Sequence, residues 1–538
     1  MRSTDRHAGL ERRAKQLMAM AVAAAAALLS ACAVGPDFRR PSPPPVEGYT
    51  PEPLAAETAA ADVSGGAAQR FVQGLDLPGQ WWTLFQSEQL NRLIEQALRA
   101  NPNLQAAQAA LRVAQENVYA QEGAYFPTVA GNFTPSRQKT ATGSVSPASA
   151  SGTPIFSLYT AQLSIIYVPD VFGLNRRTVE SLQALAEAQR FQLEATYVTL
   201  TSNVVAAAVQ EASLRGQIAA TQDIIRIETD LVDLFRRQLA LGQIAEVDLV
   251  AQEAALAQAE ATLPPLQKQL SQQRDLLTAL TGHFPSEQPA ATFELSSLQL
   301  PEDLPVSLPA RLVEQRPDVR SAEAGVHSAS AQIGVAIANR LPNLILTASD
   351  GSAANAINQL FTPGTGFWSI AGSLTQPIFE GGTLLHRERA ARAAYDQASA
   401  LYRGTVITAM QNVADALRAL QFDANSLKAA VRAERAAARN LELVRAQLRL
   451  GAVHYLALLN AQMTYQQALI NLVQARANRF ADTAALFQAL GGGWWNRADR
   501  DVEEESEARS SEISAGLAPA RDGKDHGWLD VVFGAFGF

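Results

Sequence analysis

The stretch RQLALG at residues 237–242 decides the fold, because a related stretch, RAQLRLG, follows at residues 445–451, with the closing glycines 451 − 242 = 209 positions apart. Four further pairs keep the same order along the chain: NPNL (101–104) with RPDV (316–319), YFP (125–127) with RLP (340–342), PDVFG (169–173) with PIFEG (377–381), and ALTG (279–282) with ALGG (489–492). Chance could supply one such pair, but five in one order indicate an internal duplication. We therefore predict two structural repeats, over residues 76–295 and 296–493.

Between these landmarks the apolar residues are spaced for long helices. In the second repeat they recur at steps of three and four: Met410, Val413, Leu417, Leu420, Ala424, Leu427 and Val431. This spacing is typical of a coiled-coil seam. Because no proline interrupts residues 378–493, the pattern predicts one helix over residues 389–450. The first repeat is equally free of proline between Pro169 and Pro264.

Four short segments alternate apolar and polar residues, which is the strand period of two. They cover residues 129–133, 159–167, 344–348 and 368–374, and predict hairpins over residues 127–169 and 342–377. One apolar and one polar face per strand suits a membrane barrel with a wet lumen, and equally a half-buried soluble sheet. Four strands cannot close a transmembrane barrel, since the smallest have about eight. Either the sheet is soluble, or several chains share one barrel.

The N-terminus has the pattern of an export signal. Residues 1–16 are basic on balance, residues 17–29 are apolar, and Leu29-Ser30-Ala31-Cys32 follows with the only cysteine of the chain. This pattern resembles a bacterial lipoprotein signal peptide over residues 1–31, in which Cys32 is acylated and becomes the mature N-terminus. The proline-rich residues 32–75 read as a lipid-anchored extended linker. Residues 494–538 read as a poorly ordered tail with an acidic stretch.

The composition excludes several classes of function. The chain has 44 Lys+Arg against 52 Asp+Glu, a net charge of −8, whereas nucleic-acid binding requires a basic face. The six histidines are scattered, and a single cysteine offers no metal-ligand set. No nucleophile elbow or phosphate-binding loop occurs. We therefore expect no catalytic residues, no cofactor, no metal site and no nucleic-acid partner.

Several motifs together resemble the TolC-like outer-membrane efflux factors, in particular the lipidated branch that serves resistance-nodulation-division pumps. The matching residues are CAVGPDF (32–38), WWTLF (81–85), QPIFEGG (376–382), and LG (450–451) followed by LLNAQ (458–462). The resemblance spans residues 32–493.

The resemblance implies an α+β membrane protein and a homotrimer. Each chain would add four β-strands to a shared twelve-stranded transmembrane β-barrel, and the helices would form a long coiled-coil α-helical barrel in the periplasm. Such proteins are passive exit ducts for drugs or other small molecules, lipid-anchored in the outer membrane. A periplasmic membrane-fusion adaptor and an inner-membrane resistance-nodulation-division pump are the implied partners. The alternatives are a lipoprotein coiled-coil scaffold and a type I secretion channel.

The resemblance also implies where a periplasmic gate would lie, at the turns of residues 241–249 and 450–459. Asp248 matches a gate aspartate of the family, whereas Ala457 and Asn460 stand where relatives often carry acidic residues. Asp248, Glu246, His454 and Asn460 are therefore the gate candidates, with Arg445 or Arg449 as a possible donor to Asp248. The residues alone leave open a second role for Asp248, as an N-terminal helix cap.

Overall fold

The computed structural model describes residues 33–139 and 155–497. The predicted signal peptide, Cys32 and the tail beyond residue 497 lie outside the described residues. The chain divides into two compact units. The strand unit comprises the described residues of 1–42, 106–193 and 318–406, and the helical unit those of 43–105, 194–317 and 407–538. Both units draw on both predicted repeats.

The described residues contain α-helices that fall into two similar sets. The first set is α1 (Glu88–Ala100), α2 (Pro102–Glu122), α3 (Leu174–Ala240) and α4 (Glu246–Leu280). The second set is α5 (Pro309–Gln315), α6 (Pro317–Ala338), α7 (Thr383–Arg449) and α8 (Tyr455–Ala489). Helices α3 and α7 both have 67 residues, and α4 and α8 both have 35, as a duplication requires. No helix among the described residues combines the length and the apolar composition needed to span a bilayer.

Helix α7 confirms the helix predicted over residues 389–450. Its seam residues Val413, Leu417, Leu420, Ala424 and Leu427 are fully buried within the helical unit. Leu427 and Val431 pack against Ala475 of α8. The seam therefore holds the two helices of the second repeat side by side, and burial of its apolar surface is the main stabilising term.

The strand unit contains one antiparallel sheet of four strands in the order β2 (Thr128–Lys139), β3 (Ile155–Tyr167), β5 (Asn343–Ala354) and β6 (Gly366–Thr375). Strands β2 and β3 come from the first repeat, and β5 and β6 from the second. The pairing of β3 with β5 joins the repeats. Strands β2 and β6 are the two edges, so each leaves one row of backbone groups without a partner strand in this sheet.

The helical unit contains a second sheet that the alternation pattern does not predict. Strands β1 (Arg70–Gln73) and β4 (Asp303–Val306) pair in parallel, and Arg70 also forms an ion pair with Asp303 at 2.9 Å. Each strand has four residues. Such short segments give too few alternating positions to be recognised, and their pairing joins residues more than 200 positions apart along the chain.

The aromatic residues of WWTLF form the centre of the helical unit. Trp81, Trp82 and Phe85 are almost fully buried, and Trp81 meets Phe487 edge to face with ring centroids 5.6 Å apart. The packing extends past the predicted start of the tail. The Trp494 indole N–H donates to the Gln315 carbonyl at 2.6 Å, and Arg497 forms a buried ion pair with Glu194 at 3.0 Å. Residues 494–497 are therefore part of the folded unit.

Part of the predicted linker is fixed to the helical unit by arginines of α7 and α8. We call residues 57–70 the N-terminal strap. Arg479, which is fully buried, donates to the carbonyls of Gly65 and Ala67 and to the side chains of Thr58 and Gln69. Arg435 bonds Asp62 of the strap at the protein surface. The strap is therefore a packed element of the unit.

Candidate functional site

The sheet of the strand unit has one mainly apolar face and one mainly polar face. Asp350 and Ser352 are polar residues on the mainly apolar face, and Ile166 and Ile345 are apolar residues on the mainly polar face. Directly paired residues of an antiparallel ladder point to the same side, so the observed register fixes which residues share a face. The apolar strand face carries Val129, Gly131, Phe133, Pro135, Tyr159, Ala161, Leu163, Ile165, Tyr167, Leu344, Leu346, Ala348, Trp368, Ile370, Gly372 and Leu374. Leu163, Trp368 and Ile370 are each more than half exposed. An exposed apolar face of this extent requires a partner surface.

The opposite face, the polar strand face, carries mostly hydroxyl and amide side chains: Thr128, Asn132, Thr134, Thr160, Gln162, Ser164, Thr347, Ser349, Ser369, Ser373 and Thr375. Some of them bond across strands. Asn132 donates to the Ser164 hydroxyl at 2.9 Å, and the hydroxyls of Ser349 and Ser369 are 2.8 Å apart. These groups can also bond water, so this face fits the lining of an aqueous channel.

Two tyrosines of β3 lie on the apolar strand face, and Ser157 and Ile155 continue that face beyond Tyr159. Tyr159 and Tyr167 are eight residues apart on the same face, which is about 27 Å along a strand. At the tilt of about 40° that membrane strands adopt, this corresponds to roughly 20 Å of height, close to the apolar band of a barrel flanked by aromatic girdles. The geometry of the face therefore suits a lipid bilayer.

The predicted gate segments are two helix turns with the same backbone design. Gly242 ends α3 and Gly451 ends α7, each with φ of 71°, a conformation that glycine adopts without strain. The next amides, of Gln243 and Ala452, donate to carbonyls five residues back, both at 2.9 Å. These are the bonds of a Schellman turn. The structure thus confirms that RQLALG and RAQLRLG are equivalent.

The four gate candidates lie at the starts of α4 and α8, within the helical unit. Asp248 is half-buried in the first turn of α4, and its carboxylate accepts the Ala245 N–H at 3.3 Å. Glu246, at the start of α4, is exposed. His454 precedes α8 without a side-chain cap bond, and Asn460 is an exposed residue of that helix. Among the four candidates Asp248 alone has a capping contact, and it makes it from the third position of α4, because Ala245 is the N-cap residue.

Asp248 also lines a cleft of about 730 Å³ whose walls include the three neighbours Arg445, Arg449 and Tyr455. Both arginines that the sequence offers as donors therefore face the same space as Asp248. No hydrogen bond joins Asp248 to either arginine among the described residues. The cleft walls are otherwise mainly aliphatic and aromatic, with Leu231 and Leu441 among them.

A buried polar network lies beside this cleft, and no sequence motif points to it. Gln252 of α4 donates to the carboxylate of Glu228 of α3, and the Tyr455 hydroxyl of α8 donates to the Gln252 carbonyl oxygen. Glu228 is 4% exposed and Gln252 is fully buried. Burial raises the pKa of Glu228, while the Gln252 hydrogen bond and the Arg445 charge act in the opposite direction. The network connects helices from both repeats.

The signal that could have revealed this network is an acid inside an apolar seam. Glu228 lies between Ile224, Val232 and Phe235, at the same steps of three and four, and all three neighbours are buried. An ionisable group in such a position needs partners, because an isolated buried charge is costly. The sequence pattern therefore singles out Glu228, although it does not identify Gln252 or Tyr455.

An ion pair near the turn of the first repeat has no equivalent in the second repeat. In the first repeat, Arg236 of α3 forms an ion pair with Glu253 of α4 at 2.9 Å. At an offset of 209 the corresponding residues are Arg445 and Gln462. Arg445 Nη2 and the Gln462 amide are buried and have no hydrogen-bond partner within the described chain. The second repeat thus lacks the local acid, and the Arg445 charge acts on Glu228 instead.

Comparisons with known proteins find similar proteins over most of the chain. The model of the outer membrane efflux protein family matches residues 93–283 and 308–492. The probable efflux pump outer membrane protein TtgC of Pseudomonas putida is 28% identical over 497 residues, which cover 91% of this chain and 98% of TtgC. Outer membrane protein OprJ of Pseudomonas aeruginosa is 27% identical over 476 residues, or 87% of this chain and 94% of OprJ.

Solved structures show the same architecture. The outer-membrane channel OprN superimposes with a TM-score of 0.76 at 27% identity, over 86% of this chain and 100% of OprN. The open MtrE outer membrane channel of Neisseria gonorrhoeae gives a TM-score of 0.74 at 26% identity, over 86% of this chain and 99% of MtrE. The family model covers most of both repeats and includes strands β2, β3, β5 and β6 and the two helix turns. The chain therefore belongs to the outer membrane efflux protein family.

Proposed function

We propose that the protein is the passive exit duct of a tripartite efflux pump and works as a homotrimer. Each chain would contribute its four strands to one twelve-stranded barrel in the outer membrane, and its helices to a periplasmic tunnel. The observation that carries this proposal is the division of the sheet into one apolar and one polar face. A coiled-coil scaffold has no need for such a sheet.

The open edges of the sheet support the trimer. Strands β2 and β6 are the sheet edges, and in lipid each unpaired backbone group costs several kcal/mol. Pairing β6 of one copy with β2 of the next removes both edges, and three copies close the ring. A periplasmic adaptor and an inner-membrane pump of the resistance-nodulation-division type would complete the assembly, because a passive duct has no energy source of its own.

The position of the first described residues supports a lipid anchor at Cys32. The Val34 N–H donates to the Phe172 carbonyl at 3.2 Å, and buried Arg177 donates to the carbonyl of Val34 and the carboxylate of Asp37. The backbones of Gly35 and Gly334 are in close contact: a Cβ atom on residue 35 would lie 2.4 Å from the Cα of Gly334. These contacts hold the chain after Cys32 beside the junction of β3 and α3, at the end of the sheet where the strands connect to the helices.

Mass and conductance measurements on the same preparation test this proposal. In mild detergent we expect a particle of three mature chains, and after denaturation a chain that begins at Cys32 and carries acyl groups. In planar bilayers we expect single-channel conductance. A monomer that still conducts would exclude the shared barrel, and a trimer without conductance would favour the scaffold. A conducting trimer that lacks acyl groups would remove only the lipid anchor.

For the gate, we propose that Asp248 acts as a ring of three charges near the tunnel opening, beside the network of Glu228, Gln252 and Tyr455. Glu246, His454 and Asn460 are the alternatives at the same turns. A ring of carboxylates in a narrow, low-dielectric opening attracts cations and repels anions. The bond from the Ala245 N–H to Asp248 supports the competing role of a helix cap.

Asparagine at position 248 separates the two roles. Asp248→Asn keeps an oxygen that can accept the Ala245 N–H but removes the charge, whereas Asp248→Ala removes both. We expect Asp248→Asn to reduce cation selectivity at low salt while thermal stability stays unchanged. The difference from the wild type should fade as salt rises, because charges are screened within about 10 Å at 0.1 M salt. Reversal potentials in a salt gradient measure the selectivity.

Asp230→Asn is the matched control, since Asp230 is an exposed residue of α3 outside both turns. It should change neither selectivity nor stability. If Asp248→Asn also leaves selectivity unchanged, and only Asp248→Ala loses stability, then Asp248 is a cap and no part of the ring.

A further inference from the structure

Two cations extend the apolar strand face beyond its aromatic end. In the register of β2 and β3, Pro135 pairs with Tyr159, Arg137 pairs with Ser157, and Lys139 pairs with Ile155. Because alternate residues share a face, Arg137 and Lys139 lie on the same face as Pro135 and Phe133. They are about 7 Å apart along the strand. We call Arg137 and Lys139 the rim pair.

The chain path shows which end of the sheet this is. The other ends of all four strands connect to helices α2, α3, α6 and α7, which the proposed duct places in the periplasm. The rim pair lies at the hairpin end, where β2 leads towards β3. In that orientation the rim pair is on the outer side of the membrane, two to four residues beyond the level of Tyr159 along the sheet.

The rim pair is exposed on the described part of the sheet. Arg137 and Lys139 are both exposed, and neither has a hydrogen bond or an ion pair with another described residue. Among the described strand residues, Asp350 is the other charged residue on this face. Asp350 pairs with Leu163 of β3, whereas Arg137 pairs with Ser157, six residues earlier in β3. Asp350 and Arg137 are therefore two strands and about 20 Å apart. Asp350 is therefore too far away to form an ion pair with the rim pair.

We propose that the rim pair binds the phosphate groups of phosphorylated glycolipid headgroups in the outer leaflet. The proposal rests on the proposed function, because it takes the apolar strand face to face lipid. Arg137 and Lys139 follow the apolar residues Phe133 and Pro135 on a face that points outward in the proposed barrel. Two cations in this position lie at the depth of lipid headgroups. Arginine and lysine are both common phosphate ligands. In a trimer the pair occurs three times around the barrel.

Retention of a defined glycolipid tests the proposal. Native mass spectrometry of the detergent-solubilised trimer, incubated with bisphosphorylated lipid A, counts the lipid molecules that stay bound. We expect Arg137→Ser with Lys139→Ser to weaken retention about thirtyfold at low salt, which is the combined effect of two basic residues near an anionic membrane surface. Dephosphorylated lipid A should bind the wild type and the double variant equally weakly.

Matched variants separate this site from general charge effects. Lys428→Ser with Arg432→Ser removes two exposed cations of α7 in the helical unit and should leave retention unchanged. Arg137→Lys should retain most of the binding. Inorganic phosphate at matched ionic strength should not displace the lipid, and full displacement would mean that the rim pair binds free anions only.

Equal retention by the wild type and the double variant would overturn the proposal. Single-channel conductance of the double variant keeps the two proposals distinguishable. If the variant conducts like the wild type but still retains lipid A, the rim proposal fails while the duct stands. If the wild-type trimer itself does not conduct, the duct proposal fails, and the orientation on which the rim pair depends fails with it.

Discussion

Replacing Ile370 by arginine is expected to prevent stable insertion of the protein in the outer membrane. Ile370 lies on the apolar strand face, where it pairs with Ala348, and it is 62% exposed. Arginine on the lipid face of a membrane barrel costs about 2–4 kcal/mol near the bilayer midplane. In a trimer the cost occurs three times. Urea titration of the protein in lipid vesicles, with trimers counted on non-denaturing gels, measures the loss.

The neighbouring residue provides the control. Ala371 lies on the polar strand face, opposite Thr347, so Ala371→Arg puts the same side chain on the other side of the same strand. We expect this variant to insert and to form trimers like the wild type. Its three added charges should shift ion selectivity towards anions. If both variants assemble equally well, the apolar strand face does not face lipid, and the shared barrel is wrong.

Replacing Arg479 by leucine is expected to release the N-terminal strap. The buried guanidinium bonds four oxygen atoms of residues 58–69, and leucine removes this donor from all four. The Thr58 hydroxyl keeps the Gln69 N–H as a donor at 3.0 Å. Burial lowers the pKa of Arg479, so part of the loss is offset by removing a desolvated charge. We expect the free energy of local opening to fall by about 3 kcal/mol, and amide exchange to accelerate on the order of a hundredfold.

Hydrogen exchange can follow this release at particular amides. The N–H groups of Thr58 and Phe71 are bonded to the carbonyls of Gln69 and Ala56 and should report the opening. Arg435→Leu is the control, because Arg435 bonds the same strap through exposed Asp62. A surface pair of this kind contributes at most about 1 kcal/mol. Equal exchange rates in the two variants would show that Arg479 does not hold the strap.

The difference between these two arginines illustrates what local sequence patterns leave out. Arg435 and Arg479 both occur in helices with coiled-coil patterning, and nothing in their neighbours distinguishes them. Arg479 is buried because the strap covers it, and the strap lies more than 400 residues before Arg479 in the sequence. The sequence therefore suggests an extended linker at residues 32–75, whereas the structure contains a strap and the strand β1 there.

The gate candidates show the same contrast. The LG motif places the turns correctly, because glycine at a helix end reflects a local backbone requirement. The network of Glu228, Gln252 and Tyr455 lies close to these turns, yet its members come from three helices. Their contact depends on how those helices pack against one another. Motifs therefore offer Asp248 as a gate candidate and miss the buried carboxylate of Glu228 near it.

The sequence by itself determined the properties that depend on local periodicity and on repetition. Steps of three and four specified the long helix α7, alternation specified the strands β2, β3, β5 and β6, and recurring motifs specified the duplication. The two periodicities act between residues close in the chain, where helix and strand geometry fix the spacing. The duplication is recognised by comparing the motifs with one another and requires no contact between them. Only the tertiary structure decided the strand register, the pairing of β1 with β4, and the positions of Glu228 and Arg479. These features depend on interactions between distant segments, whose relative positions the packing of the whole chain sets.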